Sequence, residues 1–392
     1  MAKKETNEFD AARKKRRFKI AAQRTGKLIG AILLLLLVVA AIFLVIRGDL
    51  IGILGDRIVS ASSSGASMPV EITGVSVRDT FLCGDNLGIV TDGVAYLYAQ
   101  NGKKLLSFQH EMANPVAEGA GRRFLLYDQG GNKLIVRMRD RILFEKEFEY
   151  TIISASLSAD GWLSVVTTAQ RYASQLHVWD DSYEEEIFTW SCSDEYIVCA
   201  DANANSKTVA AATLTANTTG QIVSNVHLFT TEAAVELSKR EFSGVAAIDL
   251  TFSGNGDIKF IGDTEAMLLD KDVRVLGTTN YENQTLIQFD NPSGTDGAAL
   301  IFDRYTEARA TDVRFLNGNM EVAKNTSLSG KFVASSGELG KIAVYCAGKA
   351  SVFTLAGEKT AELSSEQDAL LIQLTAESLF AVTRDEICEI TR

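Results

Sequence analysis

The chain of 392 residues is long enough for one large domain or two average ones. Apolar residues make up 46% and charged residues 23%, which is the balance of a globular protein with a core and excludes a disordered chain. Only three prolines occur, so long proline-rich linkers are excluded as well. The net charge of −11 is unevenly distributed, because residues 1–27 hold ten Lys/Arg against three Asp/Glu, whereas residues 48–392 hold 28 against 47.

An uncharged run of nineteen residues, Leu28–Ile46, separates the basic and acidic parts. As a helix it would be ~28 Å long, about the thickness of the hydrocarbon layer, so the sequence predicts a transmembrane helix. The run exceeds the apolar core of a cleaved signal peptide and continues directly into Arg47, which favours an uncleaved anchor. The basic flank predicts that the N-terminus is cytoplasmic.

These features predict a single-pass protein of the plasma membrane with four parts. They are a basic cytoplasmic tail (residues 1–27), a transmembrane helix in contact with the lipid bilayer (28–46), a juxtamembrane linker (47–68) and an extracytoplasmic domain (69–392). The acidic domain would repel phosphates, so a nucleic-acid partner is not expected.

Short alternating apolar runs separated by Gly, Asp, Asn and Ser turns fill the rest of the chain and indicate an all-β fold. One phrase of run, turn and run recurs, for example as VAYLYAQNGKKLLSF, LHVWDDSYEEEIFTW, VHLFTTEAAVELSK and SVFTLAGEKTAELS. Another hairpin usually precedes it, which makes four strands per unit and predicts a β-propeller. First strands are expected near residues 79, 113, 151, 195, 245, 284, 330 and 368, about 41 residues apart.

The two ends of the domain predict how the ring closes. The last unit offers three strands before Arg392, and residues 69–73 form a strand with no unit of their own. If that N-terminal strand completes the last blade, the propeller has eight four-stranded blades and no unpaired edge. Seven blades, and a run of two-sheet sandwiches, are the alternatives.

Five cysteines occur without any Cys-x-x-Cys pair, and most lie in strand-like apolar runs. They are interpreted as buried thiols that act as small apolar side chains. A Cys192–Cys199 disulfide is the alternative. The five are Cys83, Cys192, Cys199, Cys346 and Cys388.

The three histidines do not form a predicted metal site. His177 and His227 hold the same register of the third strand in adjacent units, where other units carry Ala95, Arg314 or Val352, and His110 stands apart. The position is therefore a general strand position. Residues 201–205 (DANAN) imitate the start of a calcium loop but lack its glycine and its final glutamate, so a polar turn is predicted.

No catalytic motif is present, since the sequence has neither a Gly-x-Ser-x-Gly nor a phosphate-binding Gly-x-x-x-x-Gly-Lys. The run Glu184–Glu186 is interpreted as a solvated strand edge that blocks sheet aggregation. The sequence thus predicts no catalytic residue, no metal ligand and no cofactor, and it leaves the ligand-binding residues unassigned. Trp179 is predicted to lie in the core.

Trp179-Asp180 at the end of a third strand resembles the Trp-Asp dipeptide of WD40 repeats, although the Gly-His pair of that family is absent. The whole-chain plan of basic tail, anchor and exported propeller resembles an uncharacterised group of single-pass propeller proteins of Gram-positive bacteria. That resemblance implies a location at the bacterial cell envelope.

Three functions remain open on these grounds. The first is a non-catalytic binding or scaffold module for an extracytoplasmic protein or glycan. The second is a propeller hydrolase or lyase acting on envelope glycans, which would need ionisable side chains from several blades to converge. The third is a ligand sensor that relays through the transmembrane helix.

Overall fold

The computed structural model describes residues 38, 68–72, 76–292, 295–304, 310–364 and 368–390. The predicted transmembrane helix therefore lies outside the described residues, apart from Val38. Within those ranges, no helix has both the length and the apolar character needed to cross a bilayer. From residue 68 onward, every described element is a β-strand.

The strands form eight antiparallel sheets of four strands each, which confirms the predicted propeller and its blade number. Blade 8 receives the first strand of the domain, β1 (Val70–Glu71). Blades 1 and 2 consist of β2 (Val77–Cys83), β3 (Asn86–Thr91), β4 (Val94–Tyr98), β5 (Lys104–Gln109), β6 (Pro115–Ala120), β7 (Arg123–Asp128), β8 (Lys133–Arg137) and β9 (Ile142–Glu147). Blades 3 and 4 consist of β10 (Ile152–Leu157), β11 (Leu163–Thr167), β12 (Ser174–Trp179), β13 (Glu186–Cys192), β14 (Tyr196–Asn203), β15 (Thr208–Ala216), β16 (Ile222–Thr230) and β17 (Val235–Ser243).

The remaining blades follow in the same order. Blades 5 and 6 consist of β18 (Ala247–Phe252), β19 (Ile258–Gly262), β20 (Glu265–Leu269), β21 (Val275–Asn280), β22 (Leu286–Asp290), β23 (Ala298–Arg304), β24 (Ala310–Leu316) and β25 (Val322–Ser329). Blade 7 and the rest of blade 8 consist of β26 (Phe332–Glu338), β27 (Lys341–Cys346), β28 (Lys349–Thr354), β29 (Lys359–Ser364), β30 (Leu371–Leu374), β31 (Leu379–Val382) and β32 (Glu386–Ile390).

The N-terminal strand closes the ring as predicted. β1 pairs with β32 as the fourth strand of blade 8, with Val70 opposite Ile387 and Glu71 opposite Glu386. The strand is shorter than residues 69–73, but the backbone N–H of Ile72 still donates to the carbonyl of Asp385, 2.7 Å away. β32 is therefore paired on both sides, and blade 8 has four strands like the other blades.

The core lies between the blades, because each sheet buries both faces against its neighbours. Trp179 of blade 3 has only 3% of its surface exposed, and its ring packs on Phe144 and Phe148 of blade 2 at centroid distances of 5.2 and 6.1 Å. Its predicted core position is confirmed. Buried strands with apolar residues on both faces explain the long apolar runs in the second and third strands.

The five cysteines are free thiols, and four of them are buried. Burial raises the pKa of Cys199 well above its ordinary value. The interpretation as small apolar side chains is confirmed for the four buried thiols, and the alternative bridge between Cys192 and Cys199 is not formed.

The interpretation of residues 201–205 as a turn is wrong for Asp201. That residue lies inside β14 with 1% of its surface exposed, and the turn begins only after Asn203. Its carboxylate accepts a hydrogen bond from the backbone N–H of Phe252 in the next blade, 2.9 Å away. The polar residue at this position suggested a loop, but its carboxylate is buried and binds the backbone at the edge of another sheet.

The propeller has two faces, which differ in their turns. Face A carries the turns between second and third strands, such as Asp92–Gly93, and it is where every first strand begins. Face B carries the turns between first and second strands, such as Gly84–Asp85. Because β1 is a fourth strand, the polypeptide reaches it from face B.

Candidate functional site

First strands of neighbouring blades contact one another, so they form the innermost ring around the axis. Six of them contain a β-bulge close to face A, which leaves one residue out of the ladder. The bulged residues are Arg78, Ile153, Val198, Ile248, Ile287 and Val333. In blade 8, Leu370 holds the matching position. Its N–H donates to the carbonyl of Val382, and the next residue, Leu371, pairs with Val382 in the ladder.

Four of these positions form a row of exposed aliphatic side chains, here called the apolar rim. Ile248, Ile287, Val333 and Leu370 keep 40%, 39%, 41% and 42% of their surface exposed, on blades 5, 6, 7 and 8. Single exposed apolar residues are common, but a row repeated at one position in adjacent blades indicates an interaction surface. Tyr172, Tyr196 and Ile222 of blades 3 and 4 are exposed at the same face.

Below the rim, carboxylates join the first strands of successive blades. The innermost edge of each sheet has no strand partner, so its backbone N–H groups need other acceptors. The bonds run from Ala117 N to Asp79 (2.9 Å), from Leu157 N to Glu118 (3.0 Å), from Phe252 N to Asp201 (2.9 Å) and from Asn291 Nδ2 to Asp249 (2.9 Å). Between blades 7 and 8, Ser336 Oγ accepts from Leu374 N in the same way, at 2.9 Å.

Burial favours the neutral forms of four carboxylates on the first strands, those of Asp79, Glu118, Asp249 and Asp290. Burial raises the pKa of Glu118 to about 8 and that of Asp290 to about 6, and it also raises the pKa of Asp79 and Asp249. The charges of Asp201 and Asp249 raise the pKa of Glu118 further, although they belong to blades 4 and 5. Acidic groups from distant blades therefore influence one another at the axis.

Lys259 is a cation within this acidic region. It is fully buried, and its ammonium donates to the carbonyls of Pro292 at 2.7 Å and Gly297 at 3.4 Å. Burial lowers the pKa of Lys259 to about 8, and the charges of Asp249 and Asp290 oppose that shift. Sequence reasoning missed this cluster, although single acidic residues inside the apolar first strands, as in AIDLTF, were the available signal.

The equivalent positions of His177 and His227 are confirmed, because they face Val165 and Ala211 at the same place in their ladders. We call this position, which Arg314 occupies in blade 6, the third-strand slot. His177 Nδ1 lies 2.7 Å from Glu186. In blade 4, His227 meets Glu236 at 2.8 Å and Glu195 at 3.1 Å.

The pKa values of two slot carboxylates, Glu186 and Glu195, are lowered. Burial opposes ionisation of Glu195, but hydrogen bonds from Lys239, Thr213 and His227 outweigh it and lower the pKa of Glu195 to about 2. All three residues of the predicted solvated edge Glu184–Glu186 are exposed, and Glu186, which begins β13, also binds His177.

His110 is a buried structural residue at the end of blade 1. Its Nε2 donates to the Thr91 carbonyl, 2.9 Å away, and its Nδ1 accepts from Met112 N at 3.1 Å. No group of three or more His, Cys, Asp or Glu residues within the described ranges is suited to hold a metal ion. The side chains of the axis and of the slots thus bind one another and the backbone.

Eight four-stranded blades around an axis, closed by an N-terminal strand, define the protein as an eight-bladed β-propeller. The chain belongs to the DUF5711 family, a family of unknown function, whose model matches residues 70–391. A comparison with curated proteins finds no match.

Solved propellers are similar in fold at low sequence identity. The C-terminal WD40 domain of Sif2 is 11% identical, with a TM-score of 0.58 over 84% of this chain and 99% of that domain. The β-propeller domain of Cps50 (Swd1) from Myceliophteria thermophila is 10% identical, with a TM-score of 0.50 over 83% and 99%. BamB from Moraxella catarrhalis is 11% identical, with a TM-score of 0.45 over 83% and 98%. At this identity the likeness concerns the fold alone.

Proposed function

We propose that the protein is a membrane-anchored, extracytoplasmic propeller that acts as a non-catalytic binding module and docks another cell-envelope protein through face A. The apolar rim is the observation that carries this proposal. Four aliphatic side chains with about two fifths of their surface in water are costly to leave uncovered, and a partner protein gains by burying them.

The anchor part of the proposal rests on the sequence of residues 28–46, which are uncharged and follow a basic segment. The basic segment favours a cytoplasmic N-terminus, so the propeller would lie on the outer side of the membrane. Exposure of the propeller to protease added outside intact cells tests this orientation, and full protection of the domain would contradict it.

The chemistry of the partner follows from the rim and from the charge of the domain. Residues 48–392 hold 28 Lys/Arg against 47 Asp/Glu. An aliphatic rim on an acidic domain favours a partner segment that combines aliphatic side chains with a Lys or Arg. An anionic membrane surface is disfavoured, because the domain is itself strongly acidic.

Site-specific photo-crosslinking in intact cells tests the docking proposal. A photoreactive phenylalanine analogue replaces Ile287 or Val333, and Leu339, which is 73% exposed on face B, serves as the matched control position. We expect both rim positions to crosslink the same protein and Leu339 not to do so. Adducts with lipid only, or equal protein adducts from Leu339, would contradict the proposal.

A propeller hydrolase or lyase acting on envelope glycans is the second candidate, and the carboxylates at the axis favour it. Glu118, whose pKa is raised to about 8, and the carboxylates of Asp201 and Asp249 resemble the acid and base pair of glycosidases. Glu118 already accepts a backbone hydrogen bond, however, which gives it a structural role. Turnover of cell-wall glycan that Glu118→Gln abolishes would establish the enzyme, and turnover unchanged in that variant would exclude Glu118 as its acid.

A further inference from the structure

A small polar pocket lies in blade 6 on the outer side of the third-strand slot. Its volume is about 210 Å³, the space of about seven liquid waters. The walls come from β24, β25 and the loop before β22, which includes Glu282 and Gln284. Polar groups from β24 and β25 complete it, namely Asp312, Arg314, Asn325, Thr326 and Ser327.

Arg314 provides the positive end of this pocket. It keeps only 8% of its surface exposed, and its guanidinium lies over the ring of Phe302 at 5.0 Å from the centroid. It donates to the carbonyl of Asn280 at 2.8 Å and to the side-chain oxygen of Gln284 at 2.7 Å, and both acceptors are neutral. No carboxylate of the described chain lies within 4.0 Å of the guanidinium.

Comparison with blade 4 shows what the slot in blade 6 lacks. There the slot residue, His227, lies between Glu195 and Glu236. Gln284 corresponds to Glu195. Gln284 lies two residues before the first-strand residue that pairs with Phe302, and Glu195 lies two residues before the first-strand residue that pairs with Thr213. Val322 corresponds to Glu236, because each pairs with the residue two positions after the slot. Both carboxylates of blade 4 are thus replaced by uncharged side chains.

A buried guanidinium without a carboxylate partner is costly, and an anionic group from a ligand would compensate it. The same pocket also presents carboxylates. Asp312 accepts hydrogen bonds from Gln284 at 3.4 Å and Ser327 at 2.5 Å, and Glu282 lines the exposed side. A purely anionic ligand would meet repulsion from Glu282, whereas a ligand with charges of both signs would not.

We propose that the blade 6 pocket binds a free α-amino acid. The carboxylate of the ligand binds Arg314, and its ammonium group lies toward Glu282. A pocket of about 210 Å³ suits a molecule of this size. The proposal is independent of partner docking at the rim, because it rests on a different blade position and on different residues.

Binding assays with the purified full-length chain test the proposal. Each of the twenty L-amino acids and D-alanine is added singly, and binding is followed by thermal shift and by isothermal titration calorimetry. We expect saturable binding of at least one of them, with no binding of its analogue that lacks the amino group. Arg314→Gln should weaken the affinity about tenfold or more. Glu282→Gln should weaken it by a smaller factor, since that carboxylate is exposed.

Two variants make the test specific. Val322→Glu restores the carboxylate of blade 4 at a residue that is 44% exposed, so it should neutralise Arg314 and abolish binding without unfolding the chain. Lys324→Gln removes an exposed charge from the same strand outside the pocket and should bind as the wild type does. The proposal is overturned if no amino acid binds, if binding survives in both Arg314→Gln and Val322→Glu, or if the analogue without the amino group binds equally well.

Discussion

The carboxylate of Glu118 in blade 2 accepts a hydrogen bond from the backbone N–H of Leu157 in blade 3, 3.0 Å away. Asp79 and Asp201 make the same kind of contact with the blades that follow them. Each of these acids therefore satisfies a backbone group at the innermost edge of a neighbouring sheet, and the blades are linked around the axis.

The first prediction concerns the pH dependence of this linkage. Since the pKa of Glu118 is raised to about 8, the folded chain keeps a proton that the unfolded chain loses above its ordinary value of 4.5. The contribution of Glu118 to the free energy of unfolding is on the order of a few kcal/mol. It is complete below about pH 4.5 and is lost as the pH rises to about 8. Glu118→Gln should unfold at a higher temperature than the wild type at pH 8.5 and at a similar temperature at pH 5.

Thermal unfolding followed by circular dichroism between pH 5 and 9 measures this difference. Glu184→Gln, at an exposed position, is the matched control and should follow the wild type at every pH. Parallel curves for Glu118→Gln and the wild type would show that Glu118 titrates normally.

The second prediction concerns the slot in blade 4, where the shift has the opposite sign. The pKa of Glu195 is lowered to about 2, so its stabilising contribution is present above about pH 4.5 and is lost as the pH falls toward 2. Glu195→Gln should lower the free energy of unfolding at pH 7 by about 1–3 kcal/mol, because it weakens the contacts with His227 and Lys239.

Denaturant titrations at pH 7 and pH 3 measure this loss, which should be smaller at pH 3. Glu232→Gln removes an exposed ion pair with Lys207 and should leave the free energy of unfolding nearly unchanged. An equal loss at both pH values would mean that the charge of Glu195 contributes nothing.

The third prediction concerns the close approach of a strand backbone to an aromatic ring in blade 1. A Cβ atom at Gly88 would lie 2.3 Å from the ring of Phe81, whereas one at Gly93 would meet nothing within 4 Å. Gly88→Ala should therefore destabilise the protein by about 1–3 kcal/mol through overpacking. Gly93→Ala is the control and should stay within about 0.5 kcal/mol of the wild type in denaturant titrations.

The fourth prediction concerns ring closure. A chain that begins at Met68 keeps β1, whereas a chain that begins at Ser76 exposes the edge of β32 and loses the buried side chain of Ile72. The shorter chain should aggregate or unfold at a clearly lower temperature. Size-exclusion chromatography and thermal unfolding of the two chains measure this, and equal behaviour would show that closure by β1 is dispensable.

The number of blades and the way in which the ring closes were predictable from the sequence. Strand alternation and turn residues are local patterns, and they repeat in each unit because each blade solves the same packing problem. The first strands were expected near residues 151 and 195, and they begin at Ile152 and Tyr196. The core position of Trp179 followed from the same pattern.

The candidate sites were not predictable in this way, because they join residues from different blades. Asp201 looked like part of a turn, and only the fold shows that its partner is the backbone of Phe252, 51 residues further along the chain. Arg314 was one of several residues in a general strand position. Its significance becomes clear only from the structure. There the loop residue Gln284 and the strand residue Val322 occupy the positions that two glutamates hold in blade 4.

The sequence by itself determined the repeat, the strand order within each blade and the separation of a basic, an apolar and an acidic segment, since these depend on neighbours in the chain. Only the tertiary structure decided which bulged residues stay exposed at face A and which buried charges lack a partner. Exposure and charge compensation depend on distances between blades, and those distances are set by the closure of the whole ring.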